Sequence, residues 1–307
     1  MRPDMTLLAH GGGAGPWKWD VLAVVCWLLL LAAAYLGGLR AFSGPRLRSA
    51  RAGARRLGTV RAACFAGGLL AVAVALLPPL DHAADERLFA HMTQHMVLVV
   101  VAAPLLAAGA PGLVVPLTLP PRWRHGLASV RHAARNLPLL RLLYLPVTAW
   151  LLHTVVLWFW HLPVPYDLAL AVEPVHVIEH LCFLGAAWLL WWHLLTPGRH
   201  RIGGPVALLY LFVTMLPAAA LGAVLTLARA PLYPLQAAEA AGIGVDPLTD
   251  QQLAGLVMWA PADLVYFAVM IVLFLRWMGG SAGEDGTAAP PRVPEAPERV
   301  PSGEARS

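Results

Sequence analysis

The sequence predicts an all-α protein: a polytopic membrane helix bundle with seven transmembrane helices, its N-terminus outside and its C-terminus in the cytoplasm. Three observations carry that prediction. The 307 residues are 59% hydrophobic and only 13% charged, whereas soluble domains carry charge on about a quarter of their residues. Seven stretches approach or exceed the roughly 20 apolar residues that a hydrocarbon core about 30 Å thick requires. The arginines between those stretches alternate in density, and this fixes an orientation by the positive-inside rule.

The first stretch covers residues 19–39 and the second 62–80, with Arg40, Arg46, Arg48, Arg51, Arg55, Arg56 and Arg61 between them. The third, 88–108, ends at the break Gly109-Ala110-Pro111-Gly112, because glycine and proline together stop a helix. A polar connector with Arg122, Arg124, Arg131, Arg135 and Arg141 follows, and its His125 and His132 read as solvated surface residues or lipid-headgroup contacts. The fourth stretch, 142–161, stops at Pro163 and Pro165, and the fifth, 174–195, at Pro197-Gly198. The sixth, 205–227, contains Pro217, expected as a kink that neighbouring helices tolerate. A loop over 228–251 precedes the seventh, 252–277.

Connections one, three and five hold seven, five and two arginines, against Arg87, none and Arg229 in connections two, four and six. Residues 1–18 are therefore a short external segment, 19–277 the transmembrane domain, and 278–307 a cytoplasmic tail. The tail is rich in Pro, Gly, Glu and Ala, and is expected to be disordered. The net charge of +5 comes from these topological arginines, so nucleic acid is excluded as a partner and the lipid bilayer is the expected one. Cys26, Cys64 and Cys182 lie within or at the edge of apolar stretches and form no CxxC, which leaves neither a disulfide framework nor a thiolate clamp.

One hexapeptide stands out, His91-Met92-Thr93-Gln94-His95-Met96. Residues four apart stack on one side of a helix, so His91 pairs with His95 and Met92 with Met96. Imidazole suits copper, zinc or iron, and a nearby thioether shifts the preference towards Cu(I). The same residues also suit plain packing, methionine as a core filler and histidine as an interhelical hydrogen bonder. Topology adds weight to the metal reading. The fourth stretch ends outward at His161, and the fifth begins with His176, Glu179 and His180, a second pair four apart. The seventh adds Met258 and Asp263.

Ionisable groups inside a membrane are costly, so their concentration at one depth is evidence for a site. His91, His95, His176 and His180 are the expected metal ligands, with Met92, Met96 and His161 completing the shell. Glu179 is read either as a ligand or as the neighbour that fixes a histidine tautomer, the latter preferred, with Met258 and Asp263 also just outside the ligand shell. His153 lies eight residues from His161, about 12 Å along a helix, and is too deep for the same shell. His193, beside Trp191 and Trp192, reads as an interfacial residue; it and His200 are left out of the site.

The hexapeptide, followed by Ala103-Pro104-Leu105-Leu106 and Gly109-Ala110-Pro111, resembles the signature of the multi-span CtaG family, assembly factors for caa-type cytochrome c oxidase. The likeness continues in Trp158-Phe159-Trp160-His161-Leu162-Pro163 with Tyr166, in 176–183, and in Asp250-Gln251-Gln252-Leu253-Ala254-Gly255 with Met258-Trp259. It covers roughly residues 79–277. Ala103-Pro104 departs from an expected Pro-Pro pair, without loss of a ligand. A single-span copper-delivery family shares the CtaG name, and its cysteine ligands have no counterpart here.

The resemblance implies a multi-pass protein of the bacterial plasma membrane that is needed to make an active haem-copper oxidase. It further implies that the protein handles copper for the oxidase subunits, by delivery or by stabilisation, and is an assembly factor rather than an enzyme. Two other readings stay open at this point: a haem b or quinone-dependent redox protein whose histidine pairs are axial ligands, and a transporter of copper or a small solute. No nucleophile with an adjacent base and no glycine-rich phosphate loop appears, so hydrolase and kinase readings have no residues to carry them.

Overall fold

The computed structural model describes residues 19–42, 52–142, 144–196 and 201–284. The expected external segment and the tail beyond 284 lie outside the described residues. Every regular element described is helical. In chain order these are α1 (Trp19–Phe42), α2 (Ala52–Leu76), α3 (Leu80–Glu86), α4 (Leu88–Met96), a π-helical turn (Val97–Ala102), α5 (Ala103–Gly109), α6 (Pro111–Val114) and a 3₁₀ turn (Val115–Thr118). Then follow α7 (Pro121–Asn136), α8 (Pro138–Leu142), α9 (Pro146–Trp160), α10 (Pro163–Ala171), α11 (Glu173–Leu195), α12 (Gly204–Leu227), α13 (Pro234–Gly242) and α14 (Pro247–Glu284).

Six segments are long and apolar enough to cross a membrane as single spans: Val21–Ala41, Gly58–Glu86, Leu88–Thr118, Glu173–Leu195, Gly204–Leu227 and Pro247–Gly279. The expected fourth helix is different. Pro146 opens α9, which runs for 15 residues, about 22 Å at 1.5 Å per residue. It qualifies only together with α10, from which it is bent by 73°. Bulky apolar side chains face outward all round the bundle, among them Trp27, Leu70, Val147, Leu209 and Leu264, as they do where lipid is the solvent.

Three further differences from the sequence reading have local causes. The polar connector is helical over α7, whose few apolar residues, Trp123, Leu127 and Val130, fall at helical spacing without amounting to a span; Arg131 reaches back to the Gly112 carbonyl at 3.3 Å. The last helix begins earlier than expected, at Pro247, because proline is pre-shaped for a first helical turn and Asp246 caps it. The Thr249 hydroxyl and N–H both donate to Asp246 Oδ2, at 2.7 and 2.8 Å, and hold that carboxyl below its ordinary range. The same helix continues past Trp277 to Glu284, into what was expected to be tail.

The main core joins α4, α9, α11, α12 and α14 through Leu88, Met92, Leu157, Phe183, Leu211 and Met258, among others. One close approach is between α12 and α14. A Cβ on Gly255 would meet Thr226 Oγ1 at 2.5 Å and the Gly222 carbonyl oxygen at 2.7 Å, so small residues let these two backbones touch. Pro104 has no N–H to offer Val100, and the helical ladder widens into the π turn immediately before it. All three cysteines are free.

Candidate metal centre

Asp250, at the start of α14, accepts the Leu88 N–H at 2.7 Å and so pins the first turn of α4. Measured from that fixed point, His91 and His95 lie about 5 and 10 Å along α4, and Met258 about 12 Å along α14. Met258 is thus level with the histidines and is buried in the same cluster as Met92. Asp263 is not. It falls about 20 Å along α14, within electrostatic reach of Tyr266, whose ring stacks on Trp191. The acid expected beside the histidines lies beyond them.

The other predicted residues converge. The rings of His91 and His95 are 4.4 Å apart, and those of His176 and His180 4.2 Å. His91 stacks on His176 at 5.2 Å, and His95 meets His180 edge-on at 5.4 Å. His161, at the end of α9, lies 6.1 Å from His95. Met92 is fully buried, while Met96 is half-buried at the edge of the core. His153, eight residues or a little over two helical turns before His161 on α9, is also buried.

Glu179 sits level with the first pair. Its Oε2 is 3.9 Å from His91 Nε2 and its Oε1 3.8 Å from His95 Nε2, too far for hydrogen bonds. All three side chains are at most 1% exposed. Neither carboxylate oxygen, neither of those Nε2 atoms and not the His180 Nε2 has a hydrogen-bond partner. Buried polar atoms are normally satisfied, and an ionised carboxylate needs a cation. One ligand atom from each of His91, His95 and Glu179 falls within 4.8 Å of the others; tetrahedral ligands about 2.1 Å from a metal stand about 3.4 Å apart. The donor set therefore fits a metal ion with small side-chain adjustments.

A second arrangement of lone pairs lies beside it. His161 Nδ1 is 2.7 Å from the Leu157 carbonyl, to which it can only donate. A neutral His161 then has a bare Nε2, and that atom faces the Met92 sulfur at 3.3 Å. Nitrogen and thioether lone pairs so placed suit a soft cation.

Residues to which the sequence reading assigned no role at the site hold this constellation in place. Tyr233, from the loop before α13, donates to the His161 carbonyl at 2.8 Å. Tyr166, whose ring is 5.2 Å from His91, donates to Gln236 Oε1 at 2.8 Å, and Gln236 reaches the Asp85 carbonyl at 3.2 Å. Gln94 donates to the Ala75 carbonyl and to Asp81, at 2.8 and 3.0 Å. Gln251 accepts the Leu232 N–H at 2.6 Å and folds the loop over the site. Among the excluded histidines, His125 is exposed. His193, in the last turn of α11, is fully buried, and its Nε2 lies 3.2 Å from the Tyr144 carbonyl.

Residues 33–279 match the family described as cytochrome c oxidase caa3 assembly factor, Caa3_CtaG. The chain belongs to this family. The match spans every residue of the histidine cluster and every tie just described. No curated protein and no solved structure is significantly similar to the chain. As a caa3 assembly factor of membrane-spanning helices, it associates with a membrane and with the oxidase.

Proposed function

We propose that this caa3 assembly factor binds one copper ion in the buried cluster, and that it delivers copper to the oxidase or stabilises a subunit awaiting it. The observation that carries the reading is the convergence of unpartnered ligand atoms from α4 and α11: His91 Nε2, His95 Nε2 and the Glu179 carboxylate. His176 and His180 line the same space and offer further nitrogens. Met92, with His161 opposite it, supplies the soft donors that favour Cu(I) over harder ions, and Met96 lies one turn on. Bound copper would supply an exchangeable ion held among imidazole, carboxylate and thioether donors. The chain's own role is to keep those donors dry, deprotonated and aimed.

We infer the topology from the same helices. α9 starts near His193, through the contact of that ring with Tyr144, and ends at the histidine cluster, the interval that α11 traverses in the opposite direction. It is read as a seventh, short crossing, with α10 folded over its end. The arginine count then sets the N-terminus and the cluster towards the outside of a bacterial plasma membrane. The role is that of an assembly factor, not an enzyme. A haem reading is less well supported, because the imidazoles pack directly on one another and a macrocycle would have to part them.

Metal content of the purified protein is the test. The expected result is close to one copper per chain in the unaltered protein, and loss of that copper in the His91→Ala/His95→Ala double variant. Equal copper in both would refute the site.

A further inference from the structure

A cleft of about 530 Å³ lies between α1, α2, α3, α10 and α11. Val24, Leu28, Leu31, Val72, Leu76 and Leu184 contribute apolar walls. Three carboxylates, Asp81, Asp85 and Glu173, line it from α3 and the first turn of α11. His176 and His180 line it too, and they belong to the cluster of the previous section. No lysine or arginine is among its described lining residues.

The geometry points to this cleft as the passage by which a copper cation reaches the cluster, captured by the carboxylates and passed to His176 and His180. This assignment rests on the copper reading above. Two independent observations meet in it. The first is electrostatic: like charges beside low-dielectric walls focus their field and raise the local concentration of a cation. The second is an unsatisfied donor atom. His180 is only 8% exposed, and its Nε2 has no hydrogen-bond partner although the residue lines the cleft.

Beyond His180 the path continues without a gap in ligands, since its ring is 5.4 Å from that of His95 and 6.5 Å from that of His91. Asp81 also joins the cleft to the site's own helix, through the hydrogen bond from Gln94, which lies between the two α4 histidines in the chain. The cation thus moves from exchangeable carboxylate oxygens to imidazole nitrogens. No bond to carbon and no electron transfer is involved.

The experiment measures the rate at which full-length protein in detergent micelles takes up Cu(I) under anaerobic conditions, at several ionic strengths, along with copper bound at equilibrium. The Asp85→Asn/Glu173→Gln variant keeps oxygen acceptors at both positions while removing the charge, and spares Asp81, whose carboxylate holds Gln94. It is expected to load about tenfold more slowly at low salt, to lose most of the salt dependence, and to reach the same final stoichiometry. Val24→Trp, which narrows the cleft without touching a polar group, should also slow loading and leave the stoichiometry unchanged. Wild-type loading rates in both variants would overturn the passage while leaving the site intact. If the double carboxylate variant fails to hold copper at equilibrium, Val24→Trp alone decides. If the unaltered protein binds no copper, it is the copper reading that falls, and the passage with it.

Discussion

Glu179→Gln separates the two roles open to this carboxylate. The substitution keeps the shape of the side chain and removes one negative charge at a position that is 0% exposed. The carboxylate oxygens are 3.8 and 3.9 Å from the two imidazole nitrogens, so a cation held between those nitrogens and the carboxylate lies within about 4 Å of the charge. At that separation a unit charge pair is worth about 4 kcal/mol at an effective dielectric constant near 20, or about a thousandfold in affinity. A carboxylate that only orients a neighbouring ring costs about 10- to 100-fold when removed. The assay is a competition titration of Cu(I) against a chromophoric chelator, on the purified variant beside His95→Ala and His193→Ala. A loss near a thousandfold identifies Glu179 as a ligand, and a loss of 10- to 100-fold as an orienting neighbour. His95→Ala should lose at least as much, and His193→Ala nothing. Unchanged affinity in both Glu179→Gln and His95→Ala would refute the electrostatic reasoning and the site together.

Met92→Leu, which removes a sulfur while conserving volume, should weaken Cu(I) at least tenfold while barely changing Zn²⁺ affinity, as measured by parallel titrations. A reporter active only in the cytoplasm should work when fused to the C-terminus and fail at the N-terminus; the reverse result would invert the proposed orientation. Gly255→Leu should lower the amount of folded protein, by about 1–3 kcal/mol of overpacking, because its new side chain meets Thr226 and Gly222; thermal unfolding in detergent reads this. The Asp246 cap is stabilising above the ordinary carboxylate pKa of about 4 and is lost as pH falls through its depressed folded value. The melting-temperature difference between wild type and Asp246→Asn should therefore shrink on acidification.

Hydropathy made most of the bundle legible, because a run of about 20 apolar residues has few alternatives to a membrane helix. It failed where proline decides. Pro146 restarts the chain after a turn and shortens the expected fourth span, and Pro247 begins the last helix five residues, or about 7 Å, before the count from 252. That offset is also why Asp263 looked nearer to the histidines than it is. The i,i+4 spacing and the common depth of His91, His95, His176 and His180 were enough to bring them together on paper. The spacing of Glu179 from both α4 nitrogens was not, since it depends on how α11 is rotated. Tyr233 and Gln236 were out of reach for another reason: they come from a connection whose composition says nothing about where it folds back.

The π turn at Val97–Ala102 divides one apolar run into two halves with separate allegiances. Its histidine-bearing half packs on α3 and α14, and its other half, α5, packs on α2 and α11. In a regular helix each residue advances the azimuth by about 100°, so the extra width of this turn acts as a built-in phase offset between the two faces. Removing a single residue there would restore an ordinary ladder and leave every apolar contact type available. It would also swing the imidazoles about a quarter turn away from Glu179, so that the chain kept its span and forfeited its chemistry.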